Sequence, residues 1–429
     1  MLRLALRVSI AVMPALVPGG LGAREVVEWK GGHWFDGNDF DSRTVWSDGG
    51  ILTLRAPERI DRSVDLRGRY VTPAFGDAHH HGIDGEAGLE SKIRAFQCAG
   101  IFYVKNPNVI RDFLTPALRE RLGRPDGLDV QFANGGFTNV GGHPGPLHNR
   151  LADAGVFPGL RASDMPGRAY TEIGSVQALE KAWPNFLQHR PDFVKIFING
   201  GQGRRSPDAS PRLSRQILEE LVARSHRAGL RVTAHIETAD DFIHAVGAGV
   251  DELAHAPLVD PAGDDIGVYR LDDRAARDAA RGKVSVVLTA SVLARFAKPG
   301  WTSDMDARAL LVQRSNIARL ARAGVALAIG SDGISGERPF VTARDEARYL
   351  HGRGLMSNLE LLRAWSGNTP RTIFPGRKIG SLDEGYEADF LVLDGNPLRD
   401  WNATDRITLR VRGGAELTPR CDAAGGWSG

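Results

Sequence analysis

Three consecutive histidines, His79, His80 and His81, have the clearest capacity for chemistry and stand at the end of an apolar segment. Side chains alternate between the two faces of a strand, so His79 and His81 share one face and His80 points the other way. Imidazole nitrogens are common metal ligands. A lone histidine is more often an ordinary core or surface residue, but two in alternation at a strand end predict a metal site.

Four further residues with metal-compatible chemistry stand near the ends of later apolar segments: Lys195, His235, His255 and Asp332. Each also has an ordinary reading. Lys195 could extend its amine to solvent, the two histidines could be hydrogen-bonded core residues, and Asp332 could cap a helix. Their joint placement at strand ends favours one shared site instead.

The elements that must position these residues are short apolar segments alternating with longer amphipathic ones, a pattern typical of repeated βα units. Apolar residues at helical spacing predict helices over 211–228 and 307–323. The eight predicted strands cover 72–77, 101–105, 130–134, 193–198, 231–236, 252–255, 284–288 and 326–330. Eight such units predict an α/β fold with a (β/α)₈ TIM-like barrel, whose strands present their carboxyl ends on one face.

Short apolar strands separated by glycine and aspartate turns flank the barrel segment on both sides. We therefore predict a small β-sandwich module formed jointly by residues 24–70 and 377–420, around a barrel at 71–376. The long segment at 141–168 is expected to include a loop over the barrel mouth. The glycine-rich end, 421–429, is expected to be a disordered tail.

The composition is that of an ordinary globular protein. The chain has 429 residues, of which 25% are charged and 42% hydrophobic, values that exclude a collagen-like, disordered or multi-span membrane protein. Lys and Arg number 54 against 52 Asp and Glu, for a net charge of +2. Because no dense basic cluster stands out, nucleic acid is not expected as a partner.

The segment 1–23 has the pattern of a secretory signal peptide, with Arg3 and Arg7 before an apolar run and small residues at Gly22 and Ala23. The apolar run is too short to cross a bilayer, so no stable membrane span is predicted. Export to the periplasm or the medium is the expectation. The alternative is a buried or frayed N-terminal segment of a cytoplasmic protein.

The two cysteines, Cys98 and Cys421, are too few for the disulfide framework of a small secreted domain. Cys98 lies in a helix-like apolar segment, which predicts a buried free thiol. A long-range disulfide between the two is the alternative.

Taken together, these motifs resemble the amidohydrolase superfamily, specifically its binuclear subgroup with a bridging carboxylated lysine. The resemblance includes dipeptidase-like and imidazolonepropionase-related members. It covers nearly the whole chain after Val26 and rests on the segment at 73–81, the four later candidate ligands and the segment at 380–389. The sequence departs from the usual family pattern at Ala74, Gly76 and His80, so the pattern does not identify the subfamily. None of these departures removes a candidate metal ligand.

The resemblance implies two divalent metal ions, with zinc the expected metal and manganese, cobalt or iron as alternatives. His79, His81 and Asp332 would bind one ion, His235 and His255 the other, and carboxylated Lys195 would bridge both. Carboxylation would turn a buried cation into an anionic oxygen ligand. With an unmodified lysine, the site would hold one ion.

The resemblance also implies a mechanism in which metal ions activate a water and polarise a carbonyl, with Asp332 as general base and then general acid. His143, in the segment Gly-Gly-His-Pro, is the candidate for polarising the carbonyl; the alternative is a solvated loop histidine. His148 has an equally ordinary reading as a surface residue. Arg204 is a weaker candidate for binding a substrate carboxylate.

The leading functional prediction is a hydrolase that acts on a C–N bond in a small-molecule amide, such as an N-acyl amino acid, a dipeptide or a cyclic amide. A lactonase or phosphotriesterase using the same site is the alternative, because activated water does not itself select the electrophile. A noncatalytic extracytoplasmic binding protein is a further alternative. All six candidate ligands are present, which argues against it.

Overall fold

A computed structural model describes residues 25–198, 212–257, 265–297, 300–337 and 339–421. The predicted signal segment, Arg204 and residues 422–429 lie outside these ranges. Within the described ranges, no helix combines the length and apolarity needed to cross a membrane.

Each of the eight predicted barrel strands overlaps a strand of the structure, and two further short strands, β9 and β10, were not predicted. Strands are numbered in chain order. The parallel strands are β6 (Phe75–Asp77), β7 (Ile101–Asn106), β8 (Asp129–Phe132), β9 (Gly136–Thr138), β10 (Tyr170–Glu172), β11 (Val194–Phe197), β12 (Val232–His235), β13 (Glu252–Leu253), β14 (Ser285–Leu288) and β15 (Leu327–Ile329).

Strand pairing divides the parallel strands into two sheets, which corrects the expected closed barrel. One sheet has the order β10-β9-β11-β12-β13-β14-β15, and the other has the order β6-β7-β8. Isolated backbone hydrogen bonds, and not a continuous ladder, connect the two sheets; among them, Ala78 donates to Ile329 O at 3.0 Å and Asp192 donates to Phe132 O at 2.9 Å. The strands at these joins are too short to continue a ladder, so the ring is interrupted there.

Helices follow most of the parallel strands, and α5 and α9 correspond to the two predicted helices. Serine or threonine hydroxyls cap several of them: Ser214 accepts the Ile217 N–H before α5, and Thr302 accepts the Met305 N–H before α9. The α-helices are α1 (Leu89–Cys98), α2 (Pro116–Leu122), α3 (Gly145–Asp153), α4 (Val176–Gln188), α5 (Arg215–Arg227), α6 (Ala239–Gly247), α7 (Asp273–Arg281), α8 (Val292–Arg295), α9 (Ser303–Arg322), α10 (Ala343–Gly352), α11 (Asn358–Leu362) and α12 (Thr369–Ile373).

The N- and C-terminal segments meet in one mixed sheet, where β5 pairs antiparallel with β16. Its main order is β18-β17-β16-β5-β1-β2-β3, and β4 pairs with β1. The sandwich form of this module and its domain limits remain predictions. The strands are β1 (Val26–Phe35), β2 (Phe40–Asp48), β3 (Ile51–Thr53), β4 (Arg62–Asp65), β5 (Tyr70–Pro73), β16 (Phe390–Leu393), β17 (Ile407–Arg412) and β18 (Ala415–Leu417).

Buried contacts from the segments around the parallel strands hold the first of these strands, β6, and its neighbour β7 in place. Phe75 in β6 stacks on Trp365 with ring centroids 3.7 Å apart. The Trp365 indole donates to Gly76 O at 3.0 Å. Nearby, the Tyr103 hydroxyl in β7 donates to Asp389 Oδ2 at 2.6 Å, next to β16. These buried contacts fix the start of the strand that leads to the histidine triplet.

Cys98 and Cys421 form a disulfide, so the predicted free thiol is wrong. Arg410 in β17 donates to Gln97 O at 2.7 Å and to Cys98 O at 2.8 Å, which places the end of α1 beside the C-terminal strands. The bridged residues are separated by 323 positions. No local sequence pattern could report that proximity.

Candidate metal centre

The candidate ligands gather at the carboxyl ends of the parallel strands. His79 and His81 follow β6, Lys195 lies in β11, and His235 is the last residue of β12. His255 follows β13 and Asp332 follows β15. Parallel strands of one ring all present their carboxyl ends on the same face, which is why residues so distant in sequence lie together.

Three ligand atoms converge most closely. His79 Nε2 and His81 Nε2 are 3.2 Å apart, and Asp332 Oδ1 lies 3.4 Å from the first and 3.3 Å from the second. His80 points away, as strand alternation predicts, and its Nε2 lies 3.0 Å from Val341 O. Its ring packs against Phe96 and Phe340 in the core.

The other two histidines extend the cluster. The His255 ring lies 4.8 Å from that of His79 and 4.7 Å from that of His235, measured between centroids. One ligand atom from each of His79, His255 and Asp332 lies within 4.8 Å of the other two. The cluster is therefore continuous from His81 to His235.

Lys195 is buried close to His79 and Asp332, with 1% of its surface exposed. Its Nζ has no hydrogen-bond partner among the described residues and lies 5.1 Å from the centre of the Phe197 ring. Burial lowers the pKa of this amine to about 7, although Asp332 and Glu252 counteract the effect. A neutral amine is thus accessible near neutral pH.

The electrostatics keep His79 and His255 neutral and the Asp332 carboxylate charged, which are the forms that bind metals. Burial, reinforced by the nearby Lys195 cation, lowers the pKa of His79 to about 3. Burial also holds the pKa of His255 well below its usual value, with His235 adding to the effect. Burial raises the pKa of Asp332, but the neighbouring His79 and His81 outweigh it and the net pKa lies well below the usual value.

Asp332 lies on a strained turn that its neighbours hold in place. Its φ is +50°, in the left-handed region that aspartate tolerates better than most residues. The Asp77 carboxylate accepts the Ser331 N–H at 3.0 Å and the Ser331 hydroxyl at 2.7 Å. From the other side, Arg295 donates to Ser331 O at 2.5 Å and to Asp332 O at 3.3 Å. Sequence reasoning assigned no role to Asp77, although it adjoins the triplet.

Two of the candidate ligand histidines, His255 and His81, have a contact at Nδ1. Thr289 Oγ1 lies 2.7 Å from His255 Nδ1, and Asn108 O lies 3.3 Å from His81 Nδ1. Such contacts orient a metal-binding imidazole and select its tautomer. Neither Thr289 nor Asn108 was predicted from the sequence, because nothing in their local pattern distinguishes them from other residues after strands.

His143 lies against the cluster and is not a solvated loop histidine. Its ring stacks on His235 at 4.9 Å between centroids and contacts Phe197 at 5.3 Å. Burial, with His235 adding to it, holds the pKa of His143 well below its usual value, so its ring is neutral. The position suits a group that would contact a substrate beside the candidate metal ligands.

His148, for which an ordinary surface position was the alternative, is partly buried and has contacts at both ring nitrogens. Its Nδ1 lies 3.2 Å from Pro144 O, its Nε2 lies 3.4 Å from Asn108 Nδ2, and its ring stacks on Phe157. Burial lowers its pKa to about 4. The segment 141–168, which was expected to include a loop, contains the helix α3, and His148 lies on that helix.

A buried ion pair next to the site was also missed. Lys105 Nζ in β7 donates to Glu252 Oε1 at 2.7 Å and to Thr233 Oγ1 at 2.9 Å. Burial lowers the pKa of Lys105, although the Glu252 carboxylate counteracts it. Lys105 therefore has its own anionic partner, which distinguishes it from Lys195.

The donor set fits a divalent ion. A tetrahedral site with ligands at about 2.0–2.2 Å requires ligand atoms roughly 3.3–3.6 Å apart. The spacings of 3.2, 3.4 and 3.3 Å among His79 Nε2, His81 Nε2 and Asp332 Oδ1 lie close to that range. Imidazole nitrogen with carboxylate oxygen is a combination that zinc and several other transition metals accept.

Known proteins resemble this chain in sequence and in fold. Residues 121–413 match the family described as Amidohydrolase family. The ochratoxinase of Aspergillus niger is 27% identical over 210 residues, which are 48% of this chain and 42% of that protein. The matched region thus spans less than half of the relative's length.

Two solved structures share the fold. A prolidase complexed with N-methylphosphonate-L-proline has a TM-score of 0.69 and 22% identity, covering 92% of this chain and 100% of its own. The A. niger ochratoxinase has a TM-score of 0.71 and 18% identity, covering 94% of this chain and 98% of its own. These likenesses show a TIM-barrel-like α/β fold.

Proposed function

Because the chain belongs to the amidohydrolase family, we propose that it is a metal-dependent hydrolase that cleaves the amide bond of a small molecule. The observation that carries the proposal is the convergence of His79 Nε2, His81 Nε2 and Asp332 Oδ1 within 3.4 Å of one another. The substrate class that we propose is an N-acyl amino acid, a dipeptide or a cyclic amide. The proline derivative bound to the similar prolidase supports an amino-acid amide.

We propose that His79, His81 and Asp332 hold one divalent ion and that His235 and His255 hold a second. Zinc is the metal that we propose, because the ligands are imidazole nitrogens and carboxylate oxygens. A bound divalent ion supplies an acidified water and a positive charge beside the substrate carbonyl. All remaining steps fall to the chain's own side chains.

Carboxylation of Lys195 would complete the ligand set. The neutral amine would attack carbon dioxide, forming a nitrogen–carbon bond and releasing one proton, to give an anionic carbamate. Two observations support this step: Lys195 Nζ has no hydrogen-bond partner among the described residues, and its pKa of about 7 leaves the amine substantially uncharged near neutral pH. The carbamate would also remove a buried cation from a site for cations.

The proton transfers follow from the positions of Asp332 and His143. The Asp332 carboxylate accepts the proton released by the attacking water and then delivers it to the nitrogen of the departing amine. The neutral His143 ring would donate a hydrogen bond to the carbonyl oxygen as negative charge develops there. The assignment of Arg204 to a substrate carboxylate remains a prediction.

The test combines elemental analysis of the purified protein with hydrolysis of a panel of N-acyl amino acids, dipeptides and cyclic amides, with a lactone and a phosphotriester as further arms, each with and without chelator. We expect about two ions per chain and turnover that chelator abolishes. One ion per chain would reject the Lys195 bridge. Hydrolysis confined to a lactone or phosphotriester arm would reject amide cleavage, and metal content with no turnover would favour a binding protein.

We also propose that the chain is exported, as its N-terminal segment predicts. The Cys98–Cys421 disulfide supports an oxidising compartment, because stable disulfides are rare in the reducing cytosol. The mass and N-terminal sequence of the protein recovered from cell fractions test this proposal. An uncleaved chain confined to the cytoplasm would reject it.

A further inference from the structure

We propose that Thr289 is a positioning residue of the metal centre, which orients His255 for metal binding. This inference rests on the proposed function, because it assumes that His255 is a ligand. Thr289 directly follows β14, and its hydroxyl oxygen lies 2.7 Å from His255 Nδ1. Both residues are buried, with 2% and 1% of their surfaces exposed.

In this proposal, His255 Nδ1–H donates to the Thr289 hydroxyl oxygen, which leaves Nε2 available as the ligand atom. A neutral imidazole has one N–H and one lone pair, and the hydrogen bond made by one nitrogen sets the role of the other. When Nδ1–H donates to Thr289 Oγ1, the lone pair lies on Nε2. The ring then offers Nε2 as its ligand atom to the cluster that contains His79 and Asp332.

The backbone that carries Thr289 is held by a separate buried carboxylate on α10. Glu346 Oε1 accepts the Ala290 N–H at 2.7 Å, and Oε2 accepts the Ser291 N–H at 2.8 Å. From α9, Gln313 donates to Ala290 O at 3.0 Å. Two helices therefore fix the turn after β14, and the turn fixes the hydroxyl that meets His255.

His79 and His81 are oriented less firmly at Nδ1. The corresponding distance from His81 Nδ1 to Asn108 O is 3.3 Å, and His79 Nδ1 has no hydrogen-bond partner among the described residues. The Thr289 contact is a side-chain interaction, so a substitution can remove it without altering the backbone. His255 is thus the ligand whose orientation can be tested most cleanly.

The test compares Thr289→Val, which keeps the shape and removes the hydroxyl, with Thr289→Ser, which keeps the hydroxyl. Zinc affinity is measured by competition with a chromophoric chelator, and the Tm of each variant is measured with and without zinc. We expect Thr289→Val to weaken zinc binding about 10- to 100-fold and Thr289→Ser to stay within roughly threefold of the parent. The gain in Tm on adding zinc should shrink in Thr289→Val.

A merely structural threonine would lower the Tm of the metal-free and zinc-loaded forms equally, and that result would overturn the proposal. Repeating the comparison in a His255→Ala background isolates the route, because Thr289→Val should then have no further effect on zinc affinity. An undiminished effect in that background would also overturn it. These measurements need no substrate. If Thr289→Val binds zinc as tightly as the parent, this inference alone is overturned. If the parent protein binds no zinc, the proposed function is overturned as well.

Discussion

Asp77 and Ser331, separated by 254 positions in the chain, are joined by two hydrogen bonds to one buried carboxylate. Asp77 ends β6 and Ser331 precedes Asp332, so the contact brings the His79 strand and the Asp332 turn to the same place. The same carboxylate accepts the Ala343 N–H at the start of α10 at 2.9 Å. Three elements of the candidate centre thus depend on one side chain.

Asp77→Asn should destabilise the protein by about 1–3 kcal/mol. The carboxylate oxygens now accept from N–H and O–H donors, and in asparagine one of these oxygens is replaced by an NH₂ group, which cannot accept a hydrogen bond. Urea unfolding of the metal-free protein measures this loss. Ser331→Ala removes only one of the partners and serves as the matched variant. A double variant whose loss equals the sum of the single losses would show that the two side chains are not coupled.

Asp332→Asn should preserve the fold and reduce turnover by about 10²- to 10⁴-fold, because the amide cannot accept and deliver the proton. Asparagine is the appropriate replacement, since it tolerates the left-handed φ of +50° at this position. Circular dichroism and kcat on the best amide substrate are the measurements, with metal content determined in parallel. Unchanged turnover would reject the acid–base role.

Lys195→Met should make the metal-free protein more stable near neutral pH and flatten the dependence of its stability on pH. The folded-state pKa of about 7 lies below the ordinary lysine value of about 10.4, so the unfolded chain binds more protons between these values. Above the unfolded-state pKa the amine is neutral in both states, so its burial does not reduce the free energy of unfolding. As pH falls from that value towards 7, the free energy of unfolding decreases. Between pH 8 and 9 the free energy of unfolding of the parent, relative to Lys195→Met, should rise by about 1 kcal/mol.

Chemical denaturation in the presence of chelator and without carbon dioxide measures this difference. Lys181→Met, at an exposed position on α4, is the matched control, and its pH profile should follow that of the parent. If the free energy of unfolding depends on pH in the same way in all three proteins, the lowered pKa of Lys195 is contradicted.

Reduction of the Cys98–Cys421 disulfide should lower the free energy of unfolding by roughly 2–5 kcal/mol, because the bridge closes a very long loop in the unfolded chain. Thermal unfolding with and without a thiol reductant checks this. The control is the Cys98→Ala, Cys421→Ala double variant, whose Tm should match that of the reduced parent and should not respond to reductant. A reductant effect of equal size in the double variant would assign the loss to something other than the bridge.

The sequence by itself determined the local features of this protein. Strand periodicity placed His79 and His81 on one face and His80 on the other, because alternation depends only on neighbouring residues. Apolar spacing located the eight strands and the helices α5 and α9 for the same reason. Strand-end placement selected Lys195, and family resemblance implied its role as a carboxylated bridge. No local pattern shows that its Nζ is buried without a hydrogen-bond partner among the described residues.

Only the tertiary structure decided the pairings between distant segments. The disulfide of Cys98 with Cys421, the Thr289 contact to His255, the inward packing of His148 and the ion pair of Lys105 with Glu252 all join residues from different elements. The interruption of the parallel ring likewise depends on how short strands meet. Such contacts follow from the path of the whole chain, because each partner has many possible neighbours until the surrounding core selects one.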